Sequence, residues 1–87
     1  MKQFTLYSRS YCHLCDDMLQ QLLPYQAQYA FEIKVIDLDT EASPELLAIY
    51  DELVPVLLGQ KDGAEPQQIC HYFLDAVKLK AFFDEQE

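Results

Sequence analysis

Basic residues are scarce in this sequence, and their scarcity excludes one large class of function. Of the 87 residues, 6 are Lys or Arg and 15 are Asp or Glu, which gives a formal net charge of -9. Proteins that bind nucleic acid use clustered Lys and Arg to displace counterions from phosphate groups. The sequence has no such cluster, so we expect no nucleic-acid partner.

Long apolar runs are also missing. No stretch approaches the roughly 18–20 apolar residues that a membrane span requires, and the first residues lack the apolar core and cleavage site of a signal peptide. We therefore expect a cytoplasmic protein with no membrane association. The 87 residues, of which 51% are hydrophobic, suit a single globular domain over residues 1–87, and we expect a monomer.

The sequence contains three cysteines. This is an odd number, and it is too small for the disulfide framework of a small secreted domain. Cys12 and Cys15 have C-x-x-C spacing, directly after a strand pattern and at the start of a helical pattern. The unpaired N–H groups and positive dipole end of that helix favour a thiolate over a thiol. Cys12 is nearer the helix terminus, so we assign it as the nucleophile and Cys15 as the resolving thiol.

A metal centre is the weaker interpretation of the same pair. Zinc requires four protein ligands, or three and a water, and Cys12 and Cys15 have no good third partner. Cys70 and His71 are neighbours in a predicted strand, so their side chains should point to opposite faces and should not share one ion. We expect Cys70 to be a buried, inert thiol, and we expect no metal and no resident cofactor.

The hydrophobic pattern predicts four strands and three helices. Strands are expected at about 3–8, 31–37, 53–58 and 68–73. Helices are expected from Cys12 to about Gln28 with a kink or end at Pro24, from the Ser43 cap to about Asp51, and after Asp75. The apolar faces of these elements are expected to include Val35, Ile49 and Val77.

The order of these elements, β-α-β-α-β-β-α, predicts an α/β fold. The first two strands are joined through a helix and should be parallel, by a right-handed crossover. The last two strands are joined by a short loop and should be antiparallel. We therefore expect a mixed four-stranded sheet flanked by three helices, with helices on both faces.

Three segments of the sequence carry a family resemblance: residues 7–15 (Tyr-Ser-Arg-Ser-Tyr-Cys-His-Leu-Cys), 35–39 (Val-Ile-Asp-Leu-Asp) and 53–57 (Leu-Val-Pro-Val-Leu). With them the chain resembles a glutaredoxin-type member of the thioredoxin superfamily, and more narrowly the short bacterial glutaredoxin-like proteins. The resemblance implies a thioredoxin-like fold and a dithiol–disulfide oxidoreductase. It also implies a cis peptide bond at Val54–Pro55 beside the dithiol, with a backbone edge that pairs with a bound substrate chain.

Further candidate substrate-binding residues flank the dithiol. Arg9 matches a position where glutaredoxins commonly carry a cation, which would lower a thiolate pKa or receive a carboxylate; the alternative is a solvated surface charge. Tyr11 would flank the site or only cover the helix end. His13, if protonated, would stabilise the thiolate, or it faces away. Asp75 would meet an ammonium group, or it is a plain helix cap.

The reductant stays open because the chain departs from the family at one point. Glutathione-using glutaredoxins carry a Gly-Gly pair shortly before an Asp, whereas residues 68–75 contain no glycine, which puts the close backbone approach of glutathione in doubt. Glutathione is thus retained only as a candidate co-substrate. The expected partner is a disulfide-containing protein or a glutathione mixed disulfide. The alternative function is a non-catalytic interaction domain that binds a partner along Val54 and Pro55.

Overall fold

A computed structural model describes residues 2–10, 12–40 and 43–84 of the chain. The strands and helices of these residues follow the expected order, β-α-β-α-β-β-α. In chain order they are β1 Lys2–Ser8, α1 His13–Leu22, β2 Phe31–Asp37, α2 Pro44–Tyr50, β3 Val56–Gln60, β4 Gln67–His71 and α3 Ala76–Asp84. A 3₁₀ helix, Leu23–Ala27, continues α1. None of the helices in these three ranges is long and apolar enough to cross a membrane.

The four strands form one sheet in the order β2-β1-β3-β4. Strands β1 and β2 are parallel, with Lys2 opposite Phe31 at one end and Ser8 opposite Asp37 at the other. Strand β3 is antiparallel to both β1 and β4. The mixed four-stranded sheet is therefore confirmed, as are the parallel first pair and the antiparallel last pair.

Helices lie on both faces of this sheet. Alternate β1 residues Phe4 and Leu6 are buried in one cluster with residues of α1 and α3. Tyr7 points the other way along the strand, and its ring stacks on Tyr50 at the end of α2, 4.9 Å between centroids. Hence α1 and α3 cover one face and α2 covers the other.

The main core is built from aromatic rings on the α1–α3 face. Phe4 contacts Phe31 edge-on at 5.0 Å between ring centroids, and Phe83 stacks on Tyr29 at 3.9 Å. Phe82 covers Gly59 so closely that a Cβ atom there would lie 2.8 Å from the ring. Glycine is required at this position because the ring occupies the space of any larger side chain.

Pro24 ends the α-helical part of the first helix, as predicted. It lies near the start of the 3₁₀ segment, where the missing proline N–H removes an α-helical hydrogen bond. The helix then runs on in tighter 3₁₀ form to Ala27. The predicted helix over 12–28 therefore begins one residue later and changes type at Leu23.

Strands β3 and β4 differ from their predicted bounds. β3 begins at Val56 rather than at 53, after the Val54–Pro55 peptide bond, which is cis. β4 ends at His71 rather than at 73, because Tyr72 has a positive φ of 65° that a strand does not allow. A register shift where β4 faces Leu57 and Leu58 explains why two successive β4 residues are both buried.

Three residues that the sequence pattern placed in the core are exposed. Val35 is exposed because it lies at the far end of β2 from Phe31, and it is Phe31 whose ring contacts Phe83 of α3. Ile49 is 59% exposed because α2 has only seven residues and buries none of them. Val77 is 80% exposed, since it is two residues, or about 200° of helical rotation, from buried Leu79.

Replacing a buried and an exposed side chain of α3 with alanine should change the stability of the protein by different amounts. Leu79 is fully buried, so Leu79→Ala should lower the free energy of unfolding by about 2–5 kcal/mol. Val77→Ala serves as the matched control and should change it by less than about 0.5 kcal/mol. Urea unfolding followed by circular dichroism measures both values. Equal losses in the two variants would contradict the orientation of α3.

Candidate active site

A disulfide between Cys12 and Cys15 lies at the start of α1. Cys12 is the N-cap residue of the helix, and His13 is the first helical residue. The two Cα atoms are 5.2 Å apart, within the usual range for a disulfide. The C-x-x-C spacing thus places both sulfur atoms at one helix terminus.

The two cysteines differ in exposure and in hydrogen bonding. Cys15 is only 4% exposed and points towards the sheet side of α1 with Met18, whereas Cys12 is half-buried. The Cys15 backbone N–H donates to Cys12 Sγ over 3.1 Å, so Cys12 sulfur receives one of the N–H groups that a helix start leaves unpaired. A thiolate formed at Cys12 would be reachable from solvent and stabilised by the same donor.

The cis Val54–Pro55 segment lies at the same end of the sheet. Val56, the first residue of β3, is opposite Tyr7 near the end of β1, and the chain leaves β1 towards Cys12. Pro55 is buried and Val54 is half-buried. The sheet therefore brings this segment and the dithiol to one edge of the molecule.

Tyr72 ties the Val54–Pro55 segment to the end of β4. Its backbone N–H donates to the Pro55 carbonyl over 2.9 Å, and its phenol O–H donates to the Glu52 carbonyl over 2.7 Å. A positive φ is uncommon for a residue other than glycine, and no sequence signal marks Tyr72 for it. The sequence analysis missed this residue, which lies in the stretch that was compared with the glycine pair of glutathione-using glutaredoxins.

Arg9 forms ion pairs with two carboxylates. Its guanidinium lies 2.7 Å from Asp39, in the turn after β2, and also contacts Asp51 at the end of α2. Ser10 Oγ donates to Asp37 over 2.8 Å. The chain just before Cys12 is thus fastened to the β2–α2 connection, and the charge of Arg9 is shared between Asp39 and Asp51.

The remaining candidate residues have simpler surroundings. His13 is exposed on the first turn of α1. Asp75 caps α3, since its side chain accepts the Lys78 N–H over 3.0 Å, and Asp75 and Lys78 both line an open cavity of about 470 Å³. Tyr11 lies outside the described residues.

Cys70 is a free thiol that is buried, unlike Cys12. Burial raises the pKa of the Cys70 thiol, and a backbone hydrogen bond from Asp75 lowers it by less. Cys70 is buried while the neighbouring His71 is exposed, so the two residues do point to opposite faces. Across residues 2–10, 12–40 and 43–84, no three His, Cys, Asp or Glu side chains are grouped to hold a metal ion.

Comparison with solved structures identifies the class of fold. The chain is similar to oxidised mitochondrial thioredoxin 3 from Saccharomyces cerevisiae, with 19% identity over 95% of this chain and 76% of that one and a TM-score of 0.68. At that identity the likeness concerns the fold alone, which is α/β and thioredoxin-like. Two solved structures have higher sequence identity to the chain. Protein Ne2328 from Nitrosomonas europaea is 33% identical over 93% of this chain and 89% of that one, with a TM-score of 0.78. Target protein XcR50 from X. campestris is 28% identical over 97% and 99%, with a TM-score of 0.59.

The family follows from a match to the model described as the glutaredoxin-like domain (DUF836). The match extends over residues 3–84, and the chain belongs to this family. The family resemblance drawn from the sequence is therefore confirmed. None of the curated proteins compared with the chain matches it.

The Arg9 ion pairs should make a pH-dependent contribution to stability. Arg9 holds the pKa of Asp39 below its usual 3.8, chiefly through the side-chain hydrogen bond. A lowered folded-state pKa means that the contribution is complete above the usual value and is lost as the pH falls through the lowered one. Arg9→Met should therefore be less stable than wild type at neutral pH, and the difference should diminish in acid, as the pH falls below 3.8.

Urea unfolding of wild type and Arg9→Met at neutral and at acid pH measures this difference. The matched control is Lys80→Met, which removes an exposed cation of α3. The ion pairs are exposed, so the expected difference is small at any pH. A difference for Arg9→Met that persists undiminished in acid, or one equal to that of Lys80→Met, would count against the ion-pair explanation.

The three thiols should differ in reactivity after reduction. Cys12 should be alkylated by iodoacetamide at neutral pH, whereas Cys70 should react about 100-fold more slowly while the protein is folded, because burial both raises its pKa and excludes the reagent. In urea the Cys70 thiol should react freely, which provides the internal control. Peptide mapping by mass spectrometry measures the labelling. Labelling of native Cys70 as fast as Cys12 would contradict its burial.

Proposed function

We propose that this protein is a thiol–disulfide oxidoreductase that acts through Cys12 and Cys15. The observation that carries the proposal is the asymmetry of the pair. Cys12 is only half-buried at the N-cap of α1 and accepts a hydrogen bond from the Cys15 N–H, while Cys15 is buried. These are the properties of an attacking and a resolving thiol, respectively.

The reaction comprises two exchanges of a disulfide bond. Cys12 thiolate attacks one sulfur of the substrate disulfide, and the other sulfur leaves as a thiolate. Cys15 thiolate then attacks Cys12 sulfur, closes the Cys12–Cys15 disulfide and releases the second substrate thiolate. Two electrons pass from the dithiol to the substrate, and a thiol reductant in the cytoplasm returns them.

The Val54–Pro55 segment is proposed to align the substrate chain. The Pro55 carbonyl already accepts from Tyr72, so the pairing groups would come from Val54. A backbone contact of this kind adds a strand-like pairing without reading the substrate sequence. Arg9 is given a positioning role for the chain before Cys12 rather than direct contact with substrate, because its guanidinium pairs with Asp39 and Asp51. His13 keeps its proposed place beside the thiolate.

Glutathione remains a proposed co-substrate alongside a protein-type reductant. Asp75 and Lys78 line the open cavity next to Cys70 and would offer one charge of each sign to the zwitterionic end of glutathione. The net charge of -9 opposes the approach of an anion, although salt screens much of this repulsion.

Replacing the two cysteines separately tests the assigned order of attack. Cys12→Ser should reduce turnover of a disulfide substrate to the uncatalysed rate, and Cys15→Ser should accumulate a mixed disulfide at Cys12 because the resolving thiol is missing. Turnover is followed with glutathione and glutathione reductase, and then with thioredoxin reductase; the mixed disulfide is identified by mass spectrometry. Cys70→Ala is the control and should keep full turnover.

The same assays distinguish the proposed oxidoreductase from the alternative, a non-catalytic interaction domain. Identical behaviour of Cys12→Ser and Cys15→Ser would show that the assigned polarity is wrong. Inactivity of the wild type with both reductants, together with an unreactive Cys12, would favour a non-catalytic interaction domain.

A further inference from the structure

A groove of about 410 Å³ lies between α1, the helix that begins at the dithiol, and the turn that follows β4. Its α1 side is lined by Leu14, Asp17, Met18 and Gln21, and its other side by residues 72–74. Leu14 stands between the two cysteines in the chain, and Tyr72 is bonded to the Pro55 carbonyl. The groove therefore begins at the first turn of α1, where Leu14 lies next to Cys15 in the chain, and its other side includes the residue that is bonded to the cis peptide segment.

Exposed apolar side chains form both rims of this groove. Phe73 is 70% exposed, and Leu14 and Tyr72 are also exposed. The turn that carries Phe73 is fixed by its own backbone, since the Phe73 N–H donates to the His71 carbonyl over 2.7 Å. An exposed aromatic ring that lines a groove together with other apolar side chains is typical of a contact that a partner completes.

The charge in the groove is negative. Asp17 is the acidic residue of the lining, and the neighbouring Asp16 is also exposed. Arg9, the cation that precedes the dithiol in the chain, is paired with Asp39 and Asp51. A ligand that enters the groove therefore meets apolar surface together with exposed carboxylates, which favours a cation.

We infer that the groove receives an extended segment of a substrate protein in which the disulfide-bonded cysteine is flanked by an apolar and a basic side chain. The apolar side chain packs between Phe73 and Leu14, and the Lys or Arg meets Asp17. The inference rests on the proposed function and specifies its substrate class. Glutathione disulfide, which is anionic and has no apolar side chain, is the poorer ligand of this groove.

Single-turnover reduction of designed disulfides tests the inference. The reduced protein is mixed with disulfide-linked homodimers of a short peptide that has Leu and Lys beside its cysteine. A second peptide has Glu in place of Lys, and a third has Ser in place of Leu; hydroxyethyl disulfide and glutathione disulfide are the small-molecule arms. The Leu-Lys peptide should react about tenfold faster than the Leu-Glu peptide at low salt, and the ratio should shrink at about 1 M salt.

Two substitutions in the groove should remove the two parts of this preference. Phe73→Ala should slow the Leu-Lys peptide about tenfold more than it slows hydroxyethyl disulfide, because truncation removes the apolar contact. Asp17→Asn should bring the Lys and Glu peptides closer together in rate. Val77→Ala and Glu65→Gln, exposed residues outside the groove lining, are the matched controls and should change neither comparison.

The outcomes separate this inference from the function on which it rests. No reaction of Cys12 with any of the disulfides, hydroxyethyl disulfide included, overturns both. Reaction with hydroxyethyl disulfide but equal rates for the Lys and Glu peptides overturns the inference alone. So does a Phe73→Ala loss no larger with the Leu-Lys peptide than with hydroxyethyl disulfide, or a clear preference for glutathione disulfide over every peptide.

Discussion

The N-terminus of α1 is the constraint on which the site depends. A helix start leaves backbone N–H groups without partners inside the helix, and here the N-cap is a cysteine whose sulfur accepts one of them. The same geometry that completes the helix therefore supplies the donor that a Cys12 thiolate needs. Cys15, one turn further, is directed into the core. Helix capping and the difference in exposure between the two cysteines thus have a single structural origin.

The surroundings of that helix start are held by few but specific contacts. Helix α2 buries no side chain, and the contacts described for it include the Tyr7–Tyr50 stacking and the ion pair between Arg9 and Asp51. Tyr72 bonds to both Glu52 and Pro55. The site is consequently assembled from connections between elements, whereas the aromatic core around Phe4 stabilises the sheet and α3 at some distance from the dithiol.

Much of the architecture could be predicted from the sequence because periodicity and breakers are local. Alternation placed β1 and β2, Pro24 marked the end of α1, and the Ser43 cap marked the start of α2. The exposure of Val77 and Ile49 could not be predicted, since it depends on which side of a helix meets the sheet. The Arg9 pairs with Asp39 and Asp51 join residues 30 and 42 positions apart, and the positive φ of Tyr72 follows from tertiary contacts, so neither has a local signal.

The central claim is that the Cys12–Cys15 disulfide is a working redox bond rather than a structural staple. The most direct measurement is its rate of reduction by dithiothreitol in the folded protein and in urea, followed by quenching, alkylation and mass spectrometry. Because Cys12 is only half-buried, the account predicts that the folded protein is reduced without unfolding, at a rate comparable to that of the unfolded chain. A disulfide that resists reduction until the protein unfolds would contradict it.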